Sequence, residues 1–404
     1  MVTIRLSPVP ILLALLLLLH LDYFGYVNLF HRRIELTKDF RLVWMEKRID
    51  NPALNSYRTQ ETKEEEDPNH ERQRKQLSMF ADVEKWCARA NYTDFTPLPS
   101  PDELAALHQK EEVWDELRNS ALIITNNFPW KSTIGLLQRI YQPYFKVTIF
   151  CGTFYPNLFM KDEGFPEIIT PFNYINVSEK EVFQGYFIYL CLMKAKYLHI
   201  DNVEGFFMMS DDATFNFWHT LNLRNVMHPT GITYRDFTGM WWPSPYGKSA
   251  VERALMLITD KYRDDLSVKG MWKSYQDGLI ANGFLRSAHR QLIEIDGWCM
   301  SDLIYVPTTK LQYFSELMVI FYEAEVFHEI AISKFLYTVP HTRLPPSEYK
   351  YLWEEDRDRW DELYDENLVL LHPIKFSQFV DLDQRYRFCN SVVKTFKKAI
   401  FESA

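Results

Sequence analysis

Apolar residues in this chain fall into short continuous runs separated by longer segments with helical character. Residues 121–125 form one such run and end in Asn126-Asn127; residues 145–150 form another, with a helix-like stretch at 132–141 between them. Strand, helix and strand in that order make a β-α-β unit, the signature of a parallel sheet. A further apolar piece at 167–170 is expected as a strand, and 178–196 as one long helix. That helix delivers the chain to Phe206-Phe207-Met208-Met209, bounded by Gly205 on one side and by Ser210, Asp211 and Asp212 on the other. Such a run predicts a buried strand with its acids just past the carboxyl end. The alternation predicts an α/β fold built on a mostly parallel, doubly wound sheet.

Beyond Trp218 the pattern is looser. Helices are expected at 249–262, 270–289 and 311–335, and a strand at 301–307 that Pro307 stops. Residues 353–366 are heavily charged and predict an exposed helix; 368–375 predict a strand ending in His372 and Lys375. A terminal helix at 385–401 carries Lys394, Lys397 and Lys398 as a solvated face, and an amphipathic helix is expected at 102–117. Trp241 and Trp242, beside Pro243, Pro245 and Gly247, form a rigid aromatic loop that either lids the core or binds an acceptor.

The N-terminus sets the address. Residues 9–30 are apolar enough and long enough to span a bilayer. No small-x-small cleavage site follows Leu19, so an uncleaved signal anchor is expected; the leucine run alone, read as a cleaved signal peptide, would make the protein secreted. Both readings deliver the bulk of the chain to the secretory lumen, although Arg32, Arg33, Lys38 and Arg41 oppose a cytoplasmic N-terminus. The expected organisation is a short tail (1–8), the anchor (9–30), a stem with pre-domain helices (31–118), a catalytic domain (119–376) and a helical tail (377–404). The stretch 51–75 is too polar for a core and predicts a solvated stem.

Charge and cysteine usage narrow the field. A net charge of −9 leaves no basic footprint for nucleic acid. Five cysteines allow up to two disulfides with one thiol over; Cys151 and Cys191 read as ordinary buried thiols, and no Cys/His spacing suggests zinc. Sequons stand at Asn91 and Asn176. Neither a G-x-G-x-x-G nor a P-loop is present.

The chemistry concentrates at a few acids. Asp211 and Asp212, past the carboxyl end of a central strand, lie where α/β sheets bind ligands and make a hard oxygen site for Mg²⁺ or Mn²⁺. The plainer reading is that one of them caps a helix over 213–219. Glu325 and Glu329, four apart in a buried helix, share a face from which either could reach a cleft and act as a base. His372, at a strand end beside Pro373, is either a ligand or a satisfied structural histidine.

These features together resemble the GT-A type of nucleotide-sugar glycosyltransferase. More narrowly, Glu204-Gly-Phe-Phe-Met-Met-Ser-Asp-Asp-Ala-Thr-Phe-Asn-Phe-Trp218 and Leu371-His-Pro-Ile-Lys375 are similar to the STELLO-type glycosyltransferases of plants and their nematode relatives, over roughly residues 121–376. The resemblance implies that Asp212 binds the metal and that Asp211 holds metal or ribose. It implies that His372 completes the metal site, Lys375 sits near the diphosphate, and Glu329 stands on the acceptor side as a candidate base. Ser210 occupies the first position of the acidic triplet, where many relatives of the wider fold carry an acid. The implied activity is a Golgi-membrane transfer of sugar from a nucleotide-diphosphate donor to a glycan, protein or lipid acceptor. The metal would be Mn²⁺ or Mg²⁺. The alternative is a catalytically inactive luminal scaffold that binds a partner enzyme. A nucleotidyl- or phosphotransferase could use the same acids, but the secretory address argues against it.

Overall fold

Strands β1 (Ser120–Thr125), β2 (Val147–Gly152), β3 (Asn173–Asn176) and β4 (Gly205–Ser210) pair in parallel, in the order β3-β2-β1-β4. Every residue of β1 and β4 is buried, as a strand covered on both faces requires. The computed structural model describes residues 68–108, 117–126, 133–153, 164–181, 183–198, 200, 202–234, 241–294 and 297–402. Strand β5 (Thr214–Phe215) leaves this sheet. Strands β6 (Val226–His228), β7 (Leu303–Pro307) and β8 (His341–Arg343) complete it as β4-β7-β6-β8, seven strands in all. Only β7 is reversed, antiparallel to both β4 and β6. The result is the expected mostly parallel α/β sheet.

Side chains of β4 alternate between two cores, as the two-residue period of a strand dictates. Phe206 and Met208 pack with helices Tyr189–Ala195, Thr308–Glu323 and His328–Leu336. Phe207 and Met209 pack with helices Pro68–Ala88 and Ile134–Tyr141 and with the C-terminal segment. A small second sheet has the order β5-β10-β9, with β9 at Tyr349–Tyr351 and β10 at Leu370–His372. In it β5 runs antiparallel to β10, pairing Thr214 with Leu371.

Several expectations need correction. Residues 213–219 are not a capped helix: Thr214 and Phe215 are a strand, and Ala213, Phe215 and Phe217 alternate into the core. The strand expected at 167–170 lies later, at Asn173–Asn176, beyond Pro171, which has no N–H to give a ladder. The expected helix at 178–196 reduces to a 3₁₀ turn, Phe183–Gly185, and the helix Tyr189–Ala195; Gly185, at φ 78°, breaks it. The helix at 311–335 is two, interrupted between Glu323 and His328, with Glu325 itself at φ 59°. At 353–366 only a 3₁₀ turn (Glu354–Arg357) and a single helical turn (Trp360–Leu363) form.

The ends are more integral than expected. The polar stretch 51–75 runs into helix Pro68–Ala88, whose Phe80, Val83 and Trp86 are core residues. Of the lysines expected as a solvated face, Lys394 and Lys398 are exposed but Lys397 is enclosed with Glu84, and Phe388, Phe396 and Phe401 of the same segment are buried. Cys87 is bonded to Cys389 and Cys151 to Cys191, so the latter two are not free thiols; the buried Cys299 is. The anchor at 9–30 and the stem up to 67 lie outside the described residues, among which no helix is long and apolar enough to cross a membrane.

Candidate functional site

The reversed strand builds the site. Because Met209 of β4 pairs with Leu303 of β7, the last residue of one strand meets the residue before the other. Ser210 N donates to Asp302 O at 2.9 Å and Ser210 Oγ to Asp302 Oδ1 at 3.1 Å. A turn follows, in which Ala213 N donates to Ser210 O at 3.1 Å, and Asp211 N is tied to Thr125 O of β1 at 2.9 Å. Asp211 and Asp212 are therefore held at the carboxyl edge of the sheet by backbone bonds.

The second sheet brings the other half. Pairing of β5 with β10 carries His372 and the turn after it over the acids, and Ile374 N donates to Asp212 O at 2.6 Å. His372 Nε2 lies 3.2 Å from Asp212 Oδ1 and 3.2 Å from Asp302 Oδ1. Lys375 donates to the other oxygen, Asp212 Oδ2. Asp212 Oδ1 is buried and accepts no hydrogen bond: His372 is close enough to attract it, but no N–H is aimed along that line.

Charge follows geometry. Burial works against ionisation of Asp212, but His372 and Lys375 outweigh it and hold this carboxyl well below the usual range. Burial, reinforced by Asp212, pushes the Asp302 carboxyl up against the opposing pull of His372 and Ser210. Burial opposes a proton on His372, yet Asp302 and Asp212 win and raise it. Glu329 is driven well above the carboxylate range by burial first and Asp302 second.

Donors of this chemistry, two carboxylates and an imidazole with one oxygen unbonded, suit a divalent cation. Among the described residues no three His, Cys, Asp or Glu side chains form a ready-made metal cage. The fit rests on the donor types and the orphaned Asp212 oxygen. The sequence model of the STELLO glycosyltransferases matches residues 53–303. The chain belongs to the STELLO glycosyltransferase family. No curated protein matches it.

The STELLO match begins earlier than the resemblance read from sequence and stops sooner. It takes in Ser210, Asp211, Asp212 and Asp302, but not Glu325, Glu329, His372 or Lys375. Of the residues singled out from sequence, the structure joins Asp212, His372 and Lys375 directly. Asp211 is held by β1's end, its Oδ2 accepting from Asn126 Nδ2 at 3.1 Å. Glu329 lies in the first turn of helix His328–Leu336 and feels the charge of Asp302. Glu325 shares no helix with it; half-exposed, it lies 3.9 Å from Arg253 Nη2. Trp242 is buried and lids the core, whereas Trp241 stacks on Phe327, the residue before His328, at 3.8 Å.

Sequence reasoning missed Asp302. Its signal was present: an acid directly before the apolar run Leu303-Ile304-Tyr305-Val306 becomes a site residue if that strand is reversed. Nothing local announces the reversal.

Proposed function

We propose that this STELLO-family protein is a metal-dependent glycosyltransferase with a GT-A-like site, taking sugar from a nucleoside-diphosphate donor to a glycan, protein or lipid acceptor. The observation that carries the reading is the convergence on Asp212 of His372 and Lys375, from a segment more than 150 residues later, leaving one buried carboxylate oxygen unbonded. Asp212 and His372, with Asp302 beside them, would hold Mn²⁺ or Mg²⁺, and Asp211 would orient the ribose or the turn. Such an ion, when bound, neutralises the charge that builds on a leaving diphosphate. Lys375, half-exposed, is placed to exchange its bond with Asp212 for one to a diphosphate oxygen. Glu329 would face the acceptor as the candidate base, and burial, which raises its affinity for a proton, suits that role. The two disulfides, together with exposed sequon asparagines at Asn91 and Asn176, support a secretory-lumen address, in keeping with a Golgi-membrane enzyme.

One observation favours a second reading, a luminal scaffold without catalysis: Lys375 already neutralises Asp212 within the protein. Calorimetric titration of sugar nucleotides with and without Mn²⁺ separates the two. The enzyme reading expects a donor that binds only with metal and is lost in Asp212→Ala. Absence of any metal-dependent donor binding, or binding indifferent to Asp212→Ala, sinks it.

A further inference from the structure

The acids lie at the carboxyl edge of the sheet; at the opposite edge, where β2 and β3 begin, there is a groove of about 340 Å³. Its walls include Arg72 and Lys75 from helix Pro68–Ala88, Lys146 and Thr148 at the start of β2, and Asn173 at the start of β3. Three cations face one carboxylate, Glu71, which leaves two net positive charges on a chain whose overall charge is −9. Lys75 and Lys146 are exposed and have no carboxylate partner among the described residues. Arg72 is braced from behind, its Nε donating to Pro143 O at 3.5 Å.

A second observation distinguishes this groove from a merely basic surface. Thr148 is 2% exposed, and its Oγ1 is buried with no hydrogen-bond partner. Buried hydroxyls are ordinarily satisfied, and leaving one unmade costs about 1–3 kcal/mol. A buried hydroxyl lining a groove with two ammonium groups that have no carboxylate partner among the described residues lacks an acceptor, and an oxyanion is the acceptor that all three share.

We propose that this groove is an anion site for a phosphate monoester, separate from the acidic cluster and independent of the glycosyltransferase reading. A phosphate monoester carries about −1.5 to −2 charge at neutral pH, which matches the surplus of the walls. Lys75 and Lys146 supply the charge-assisted bonds, and Thr148 Oγ1 donates to a phosphate oxygen. The volume is at the small end for ligand pockets and suits a compact organic phosphate.

The test is calorimetry on the full chain, at fixed ionic strength and without divalent ions, using inorganic phosphate, glycerol 3-phosphate and sulfate as probes. Glycerol 3-phosphate is expected to bind at least as tightly as inorganic phosphate. Lys146→Glu should weaken it about tenfold or more, the scale of one charge-assisted bond. Thr148→Val, which keeps the buried shape, should also weaken binding, and Asp212→Ala should leave it unchanged. The proposal is overturned if no phosphate probe binds, if binding is indifferent to Lys146→Glu, or if Asp212→Ala abolishes it. Failure here would leave metal-dependent donor binding untouched, so the two readings fall separately.

Discussion

Two buried carboxylates flank Asp212, and their partners set them apart. Asp211 is held by an amide, Asn126, whereas Asp302 is held by Ser210 and lies against the His372 imidazole. At 3.2 Å from His372 Nε2, the Asp302 carboxylate is placed to position that imidazole and to add an oxygen donor beside it. Asp302→Asn is therefore expected to weaken Mn²⁺ affinity about 10–100-fold, the range for residues that orient metal ligands, and Asp211→Asn less. Titration of Mn²⁺ into each variant checks the order; equal losses would refute it. A second residue-scale outcome concerns His228, which is wholly buried and whose Nδ1 accepts from Gly231 N at 3.0 Å. Burial first, then His341, pushes its imidazole down from 6.5 to about 3. The folded chain thus keeps it neutral where the unfolded chain binds a proton. Its contribution to stability is complete above pH 6.5 and is lost as pH falls towards 3. His228→Asn, which retains an acceptor for Gly231, should flatten the fall of Tm between pH 6.5 and about 4.

Among elements, those that carry a continuous apolar run of their own were the legible ones. Strands β1, β2 and β4 and the helix between the first two announce themselves through apolar runs and their boundaries. Strand β5 does not: residues 213–219 admit both a capped helix and a two-residue alternation, and the pairing with β10 decides. The same holds for the break between Glu323 and His328, because apolar residues continue through it and only Glu325 takes a backbone conformation that ends a helix. Disulfide partners were equally hidden, since burial makes a cystine half and a thiol read alike. The Cys87–Cys389 bond ties helix Pro68–Ala88 to the C-terminal segment across 302 residues. Cys87→Ser is expected to lower the unfolding free energy by roughly 2–5 kcal/mol, measured by urea denaturation without reductant. An unchanged midpoint would mean that packing alone holds these elements together.

For the whole molecule, the candidate site draws on three distant segments, and only the acidic one was strong in the sequence. His372 was a weak signal because a histidine at a strand end is more often structural; the second sheet, invisible locally, gives it its position. The C-terminal segment also closes a core: Phe80 stacks on Phe396 and packs at a tilt against Phe401, and Trp86 meets Phe388 edge-on. A chain ending at residue 375 keeps every candidate ligand yet is expected to lose its cooperative thermal transition, as read by differential scanning calorimetry. A sharp transition in that truncation would show the segment to be dispensable.

The 302-residue span of the first disulfide also imposes a timetable on synthesis. Cys151 and Cys191, 40 residues apart, can find each other while the chain is still on the ribosome. Cys87 waits for nearly all the remainder to emerge, and a growing chain shorter than 372 residues carries the acids without their histidine. Until β10 is made, then, the protein in the making is an acidic chain with an unspent thiol, and its candidate site lacks the histidine and lysine that close over Asp212.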